Sequence, residues 1–254
     1  GSIPADIGTL PNLTWISLRN NQLTGAIPTS LGSLNGITDL NLEINQLSGP
    51  IPIELYGLTS IRNLGLYDNQ LTGAIDPAIG NLTQVENLTL NNNQLTGPIP
   101  ATIANLASVL DLSLGNNQLT GPIPAGIGNL STVQHLMLDN NDLSGQIPST
   151  IENLTNLEQV RMWGNSLTGA LPDLSASPNL RVYDFGGNQL TGEIPASIWN
   201  MPALEEISLW DNQLTGSLPG AIQNLSTSLQ NIGISGNQLS GAIPPEITSL
   251  TNVF

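Results

Sequence analysis

The chain has 254 residues, 19 acidic and four basic side chains, a formal net charge of −15 and no cysteine. So few cations leave no basic stripe for nucleic-acid phosphates and no attraction to an anionic membrane surface. Without cysteine there is no disulfide framework, no thiol nucleophile and not the usual zinc ligand set, and the single histidine, His135, rules out any triad that needs two.

Taken in chain order, one pattern returns ten times. Asparagine recurs at Asn21, Asn45, Asn69, Asn93, Asn117, Asn141, Asn165, Asn188, Asn212 and Asn237, in steps of 24 except 23 before Asn188 and 25 before Asn237. The short step lacks a residue in Leu171-Pro172-Asp173-Leu174, and the long one gains a residue in 225–229. Aliphatic residues or stand-ins sit three and five positions before each Asn: Leu18 and Ile16, Leu42 and Leu40, Met162 and Val160, Phe185 and Tyr183, Ile234 and Ile232. Another sits eight before, as at Leu13, Ile37, Val133 and Leu204. Leucine follows two after the Asn, glycine four after, and then Ile-Pro or Leu-Pro, with one lapse at Ile75-Asp76-Pro77.

The alternation Leu-x-Leu predicts a short strand with its leucines inward and the intervening residues outward. The Asn ends that strand, and its amide is expected to bond backbone groups in its turn and in the neighbouring repeat. Gly then permits a positive-φ turn and Pro blocks continuation. One unit cannot bury its apolar face alone, so the units must stack around a shared core. At ~4.8 Å per strand, ten of them make a parallel sheet roughly 48 Å long.

The consensus Leu-x-x-Leu-x-Leu-x-x-Asn-x-Leu-Thr/Ser-Gly-x-Ile-Pro resembles the plant-specific leucine-rich repeat of receptor-kinase ectodomains and polygalacturonase-inhibiting proteins, which is similar to repeats of bacterial surface proteins. The resemblance covers essentially all of 1–254 as a single array. It implies a leucine-rich-repeat solenoid, a right-handed superhelix with a parallel β-sheet on the concave face. Short second strands and 3₁₀ turns are expected on the convex side. The cysteine-paired caps usual in plant members are missing. The sequence starts mid-repeat at Gly1-Ser2-Ile3-Pro4 and stops at 250–254, where the next strand is due. The expectation is an uncapped piece of a longer array. Open ends also suggest end-to-end self-association, although the junction is about ten residues short of a full repeat.

Outward strand positions carry function on such a scaffold, because the other positions hold the core. Their columns vary and include Trp15, Arg19, Tyr67, Trp163 and Trp210, residue types that dominate interface hot spots. All four arginines (Arg19, Arg62, Arg161, Arg181) lie in the strand segments, among many of the acids. The densest patch is C-terminal: Trp163 and Trp210 two repeats apart, with Gly186 between them as the floor of a slot lined by Arg161, Arg181, Asp184, Glu206 and Asp211. A peptide side chain or a sugar ring fits that description. His135 near Asp111 and Asp139 reads as a solvated histidine. Glu205 and Glu206 are adjacent, so they point to opposite sides and face no common substrate. No nucleophile–base pair can be assembled and no loop has calcium-binding spacing, so no enzyme, no metal and no cofactor are expected.

Two ladders remain. Gln follows most of the repeat asparagines, from Gln22 to Gln238, and three positions after each stands Thr or Ser, from Thr24 to Ser240. Hydroxyls repeated every ~4.8 Å on a nearly uncharged face suit an ice-binding surface; as ordinary turn residues they would bond local backbone instead. Six Asn-x-Ser/Thr sequons (Asn12, Asn81, Asn87, Asn129, Asn153, Asn224) fit an extracellular setting. The expected function is therefore extracellular or cell-surface recognition of a protein, peptide or glycan on the concave face. The alternatives are a structural or adhesive stalk or filament component, and an ice-binding protein.

Overall fold

The computed structural model describes residues 1–10 and 12–251. Each repeat contributes one short strand to a ten-stranded parallel sheet, beginning with Trp15–Ser17, Asp39–Asn41 and Asn63–Gly65 and ending with Glu206–Ser208 and Asn231–Gly233. The strands follow chain order and pair in register, Ile16 with Leu40, Leu40 with Leu64, and so on to Ile207 with Ile232. The strands begin one residue before the Leu-x-Leu pair, because the ladder is centred on its first leucine. Main-chain bonds still carry the second leucine, as in Leu18 N–H to Asn41 O at 2.8 Å.

A second, nine-stranded parallel sheet is built from segments such as Gln46–Pro50, Gln70–Ala74 and Gln94–Pro98. Five-residue 3₁₀ turns such as Thr29–Ser33 follow the prolines. The lapse in that pattern is compensated: where proline gives way to Asp76, its carboxylate accepts the Ala78 N–H at 2.8 Å and caps Pro77–Asn81. The irregular steps are visible too. The long one lengthens its 3₁₀ turn to six residues, Gly220–Leu225. The short one closes with Asp173 accepting the Ser175 N–H, and the larger Tyr183 and Phe185 fill its core, with ring centroids 4.6 Å apart. The Tyr183 hydroxyl donates to Pro172 O, so its burial leaves no polar atom stranded.

Leucines of both inward columns, such as Leu40, Leu42, Leu64 and Leu66, are completely or almost completely buried. Tyr56 and Trp199, from the 3₁₀ turns Ile53–Gly57 and Ala196–Asn200, join the same core, although neither occupies a repeating apolar slot.

The asparagine ladder does what its chemistry suggested. Asn141 Oδ1 accepts the Leu119 N–H of the preceding repeat at 2.9 Å. Its Nδ2 donates to Leu114 O in that repeat and to Leu138 O and Asp139 O in its own. Asn45, Asn69, Asn93, Asn117, Asn165, Asn188, Asn212 and Asn237 accept in the same way, from Leu23, Leu47, Leu71, Leu95, Leu143, Leu167, Leu190 and Leu214.

The residue just before each Asn adopts positive φ, from Asn20 at 54° to Gly236 at 66°. Nine of these ten are Asn, Asp or Gly, the types that tolerate this region; the tenth is Ile44, at φ 56°.

Candidate ligand face on the concave sheet

The outward columns of the first sheet contain six carboxylates (Asp39, Glu43, Asp111, Asp139, Asp184, Glu206) and two arginines, Arg19 and Arg161. Arg62 and Arg181 lie one residue ahead of their strands and are neutralised across repeats. Arg62 Nη1 meets Glu86 Oε1 at 2.6 Å, and Arg181 forms a two-pronged pair with Glu205, both bonds at 2.9 Å. Arg181 is thus held by Glu205 at the side of the sheet and is drawn off from the patch in which the sequence had placed it.

Arg161, Asp184 and Glu206 do come together. Arg161 stands opposite Asp184 in the ladder and reaches Glu206 Oε2 at 3.8 Å. Its Nε is buried without a hydrogen-bond partner. Asp184 is 7% exposed, accepts the Gly186 N–H at 3.3 Å, and is held above the usual carboxylate range chiefly by burial. Asp139, 8% exposed, is raised for the same reason, with Arg161 acting in the opposite direction. One arginine therefore faces three carboxylates.

Between Trp163 and Trp210 there is no open slot. Trp210 lies flat along the chain of the neighbouring repeat: a Cβ on Gly186 would overlap its Nε1, and one on Gly187 would meet its Cη2 at 2.9 Å. The indole itself occupies the space that glycine vacates; Trp210 and Trp163 are both half-buried. Asp211 is a turn residue at φ 47°, its carboxylate beside Gly236 of the next repeat. At the other end Arg19 lies 3.7 Å from Glu43 Oε1, with its guanidinium 6.0 Å from the Tyr67 ring centroid. Trp15 is 59% exposed. His135 Nδ1 is 3.8 Å from Asp111 Oδ2. No group of three or more His, Cys, Asp or Glu suited to a metal ion occurs among the described residues.

The outward glycines were informative in a way that sequence reading missed. Asp139 leans over Gly115, where a Cβ would stand 2.7 Å from its Oδ1, and Glu43 leans over Gly65 in the same manner. Gly65 and Gly233 also underlie two depressions of about 290 Å³ each. The first is lined by Asp39, Asn41, Glu43, Asn63, Leu64, Gly65, Asn87 and Thr89, and the second includes Glu206, Ser208 and Asn231.

On the second sheet the Gln column is exposed throughout and the Thr/Ser column is exposed or half-exposed. The expectation that these hydroxyls bond local backbone is not met: the bonds they do make reach the preceding repeat. Among the described residues of that column only Thr191 and Ser240 donate to a protein carbonyl, both at 3.4 Å.

Models of the leucine-rich repeat match residues 11–71 and, separately, 84–106, 108–130, 132–154, 203–225 and 228–250. The chain belongs to the leucine-rich-repeat family. Among solved structures it is similar to a TDR receptor (30% identity, TM-score 0.95, all of this chain and 44% of that one). It is also similar to the plant peptide hormone receptor RGFR1 in complex with RGF2 (32%, 0.87, 99% and 44%). A plant ice-binding protein is a further match (30%, 0.81, 96% and 79%). The chain spans less than half the length of those two receptor chains. No curated protein sequence matches it.

Proposed function

We propose that the chain is a non-enzymatic recognition module of an extracellular or cell-surface protein, binding a protein or peptide segment along the concave sheet. The observation that carries this is the patch in which Arg161, with an unpartnered buried Nε, stands among Asp139, Asp184 and Glu206. Trp163 and Trp210 stand just beyond the ends of two strands of the same sheet, Gln159–Arg161 and Glu206–Ser208. A stiff stacked sheet is preorganised, so a partner loses little binding energy to ordering it, and aromatic and arginine anchors carry most interface energy. The similarity to a receptor holding a peptide hormone agrees with this reading. Selecting a displayed peptide library on the chain tests it. Enriched peptides should lose binding to Trp163→Ala and Arg161→Ala while the unfolding midpoint of both variants is retained. Failure to enrich any sequence, or enrichment indifferent to both substitutions, rejects the site.

A second reading rests on the other sheet. Its hydroxyl column repeats at strand spacing of ~4.8 Å and is mostly unbonded to protein, and a plant ice-binding protein shares the fold. An ice-recrystallisation assay at micromolar protein decides it. Activity abolished by Thr96→Lys and Thr120→Lys supports the reading, and inactivity of the unmodified chain removes it.

A further inference from the structure

We propose that the depression over Gly65 receives a single aliphatic ammonium group, the side chain of a lysine presented by a partner. It shares the concave face with the recognition patch but none of its residues.

Space comes first. Gly65 interrupts a column that larger side chains fill at every repeat but that of Gly233, and a Cβ there would stand 2.7 Å from Glu43 Oε2. The resulting hollow, about 290 Å³, has the main chain at Leu64 and Gly65 as its floor, the Leu64 side chain being turned into the core. A slim, flexible methylene stem spans such a hollow while its charged end seeks the polar wall.

The wall is built of acceptors. Glu43 is only 6% exposed, and its Oε2 has no hydrogen-bond partner. Its nearest cation, Arg19, stands 3.7 Å from the other oxygen, beyond hydrogen-bonding distance. A carboxylate withdrawn from water without a donor is costly, and supplying a charged donor is correspondingly favourable. The terminal torsion of a glutamate is broad and two-fold, so a modest rotation turns Oε2 from Gly65 toward the hollow. Beside it runs a directed chain of amides. Asn87 Nδ2 donates to Asn63 Oδ1 at 2.5 Å, and Asn63 Nδ2 donates to Asp39 Oδ1. Asp39 Oδ2 accepts from Thr38. Every donor in this chain points toward Asp39, which leaves the Asn87 carbonyl oxygen at the far end as a further acceptor.

The class of cation follows from the donor count. A calcium ion asks for six to eight oxygens, several of them charged, and only two carboxylates are present, one with both oxygens engaged. A guanidinium is held best by both oxygens of a carboxylate in one accessible plane, whereas Glu43 has one oxygen toward Arg19 and the other against Gly65. An ammonium presents three diverging donors from one point, which suits Glu43 and the amide and hydroxyl acceptors around it.

The test is an amide NMR titration of the whole chain with acetyl-Gly-Lys-Gly-amide in the millimolar range, with the norleucine peptide as the uncharged control. Saturable shifts at Gly65, Asn87 and Thr89 are expected with lysine and not with norleucine. Glu43→Gln, which preserves shape, should weaken binding at least about tenfold. Gly65→Ala should abolish it with the fold intact by thermal unfolding, and Trp163→Ala should leave it unchanged. Absence of saturable shifts, equal shifts with norleucine, or full affinity in Glu43→Gln overturns the proposal. Because Trp163 belongs to the other patch, failure of one site is distinguishable from failure of the other.

Discussion

Trp210 lies over Gly186, with its pyrrole edge where a Cβ would be and its benzene edge over Gly187. The ring belongs to one repeat and its bed to the preceding one, so a single side chain joins two coils on the ligand face. Gly186→Ala is expected to lift the indole from its bed. The cost should be about 1–3 kcal/mol, the usual range for forcing an extra methyl into a filled space. Tryptophan emission should shift to longer wavelength as the ring meets water. An unchanged spectrum and an unchanged urea midpoint together would contradict this packing.

Ile44 is a misfit that can be repaired. It is held at φ 56° in a column that is otherwise Asn, Asp or Gly. A left-handed conformation costs an L-residue roughly 1–2 kcal/mol, least for Asn and most for β-branched types. Ile44→Asn should therefore raise the denaturation midpoint by an amount equivalent to about 1 kcal/mol. It also lets the new amide join neighbours of the kind seen between Asn92 and Asp68, at 2.5 Å. A lower midpoint would show that Ile44 contributes packing worth more than the strain.

The ladder asparagines should differ by position. Asn141 is buried and makes four hydrogen bonds. Asn141→Ala strands the Leu119 N–H and carbonyls that water cannot reach, at a cost of about 3–5 kcal/mol. Asn21 is exposed and donates only within its own turn, to Leu18 O and Arg19 O. Asn21→Ala should cost about 1 kcal/mol. Equal losses, measured by chemical denaturation, would mean that the bond to the preceding repeat is unimportant.

Asp139 and Asp184 set a direction for pH dependence. Burial raises both above 3.8 in the folded chain, so between that value and their raised values the folded state binds more protons than the unfolded one. Stability from these two groups therefore falls as pH rises through that window and recovers on acidification. Asp173 runs the other way: hydrogen bonds, first from Ser197, hold it below 3.8, and its contribution is lost on strong acidification. Asp139→Asn is expected to raise the thermal midpoint at pH 7 and to change it little at pH 4. A larger gain at pH 4 than at pH 7 would reverse the sign.

The period, the strand positions and the asparagine chemistry were legible because each is enforced at every turn of the coil; Asn45 and Asn141 sit in the same environment and so share a letter. What lay outside the pattern was harder to see. Trp199 and Tyr56 enter the core from 3₁₀ turns, where no recurring apolar letter marks the position. The conformations of Glu43, Asp139 and Trp210 depend on a glycine in an adjacent coil about 24 residues away, and a column read one residue at a time does not reveal that a neighbour will lie down in the gap. Arg181 looked like a member of the concave patch because it is one residue from a strand, and that single step brings it to Glu205.

Each asparagine of the ladder from Asn45 onward ties its own coil to the one before it, and none reaches further. Pulled from its two ends, the array behaves as a string of identical clasps in series and not as one block. A force–extension trace should therefore show a saw-tooth, each tooth releasing one coil of about 24 residues, roughly 80 Å of chain. A single all-at-once rupture would show instead that the core binds the coils more tightly than the clasps do.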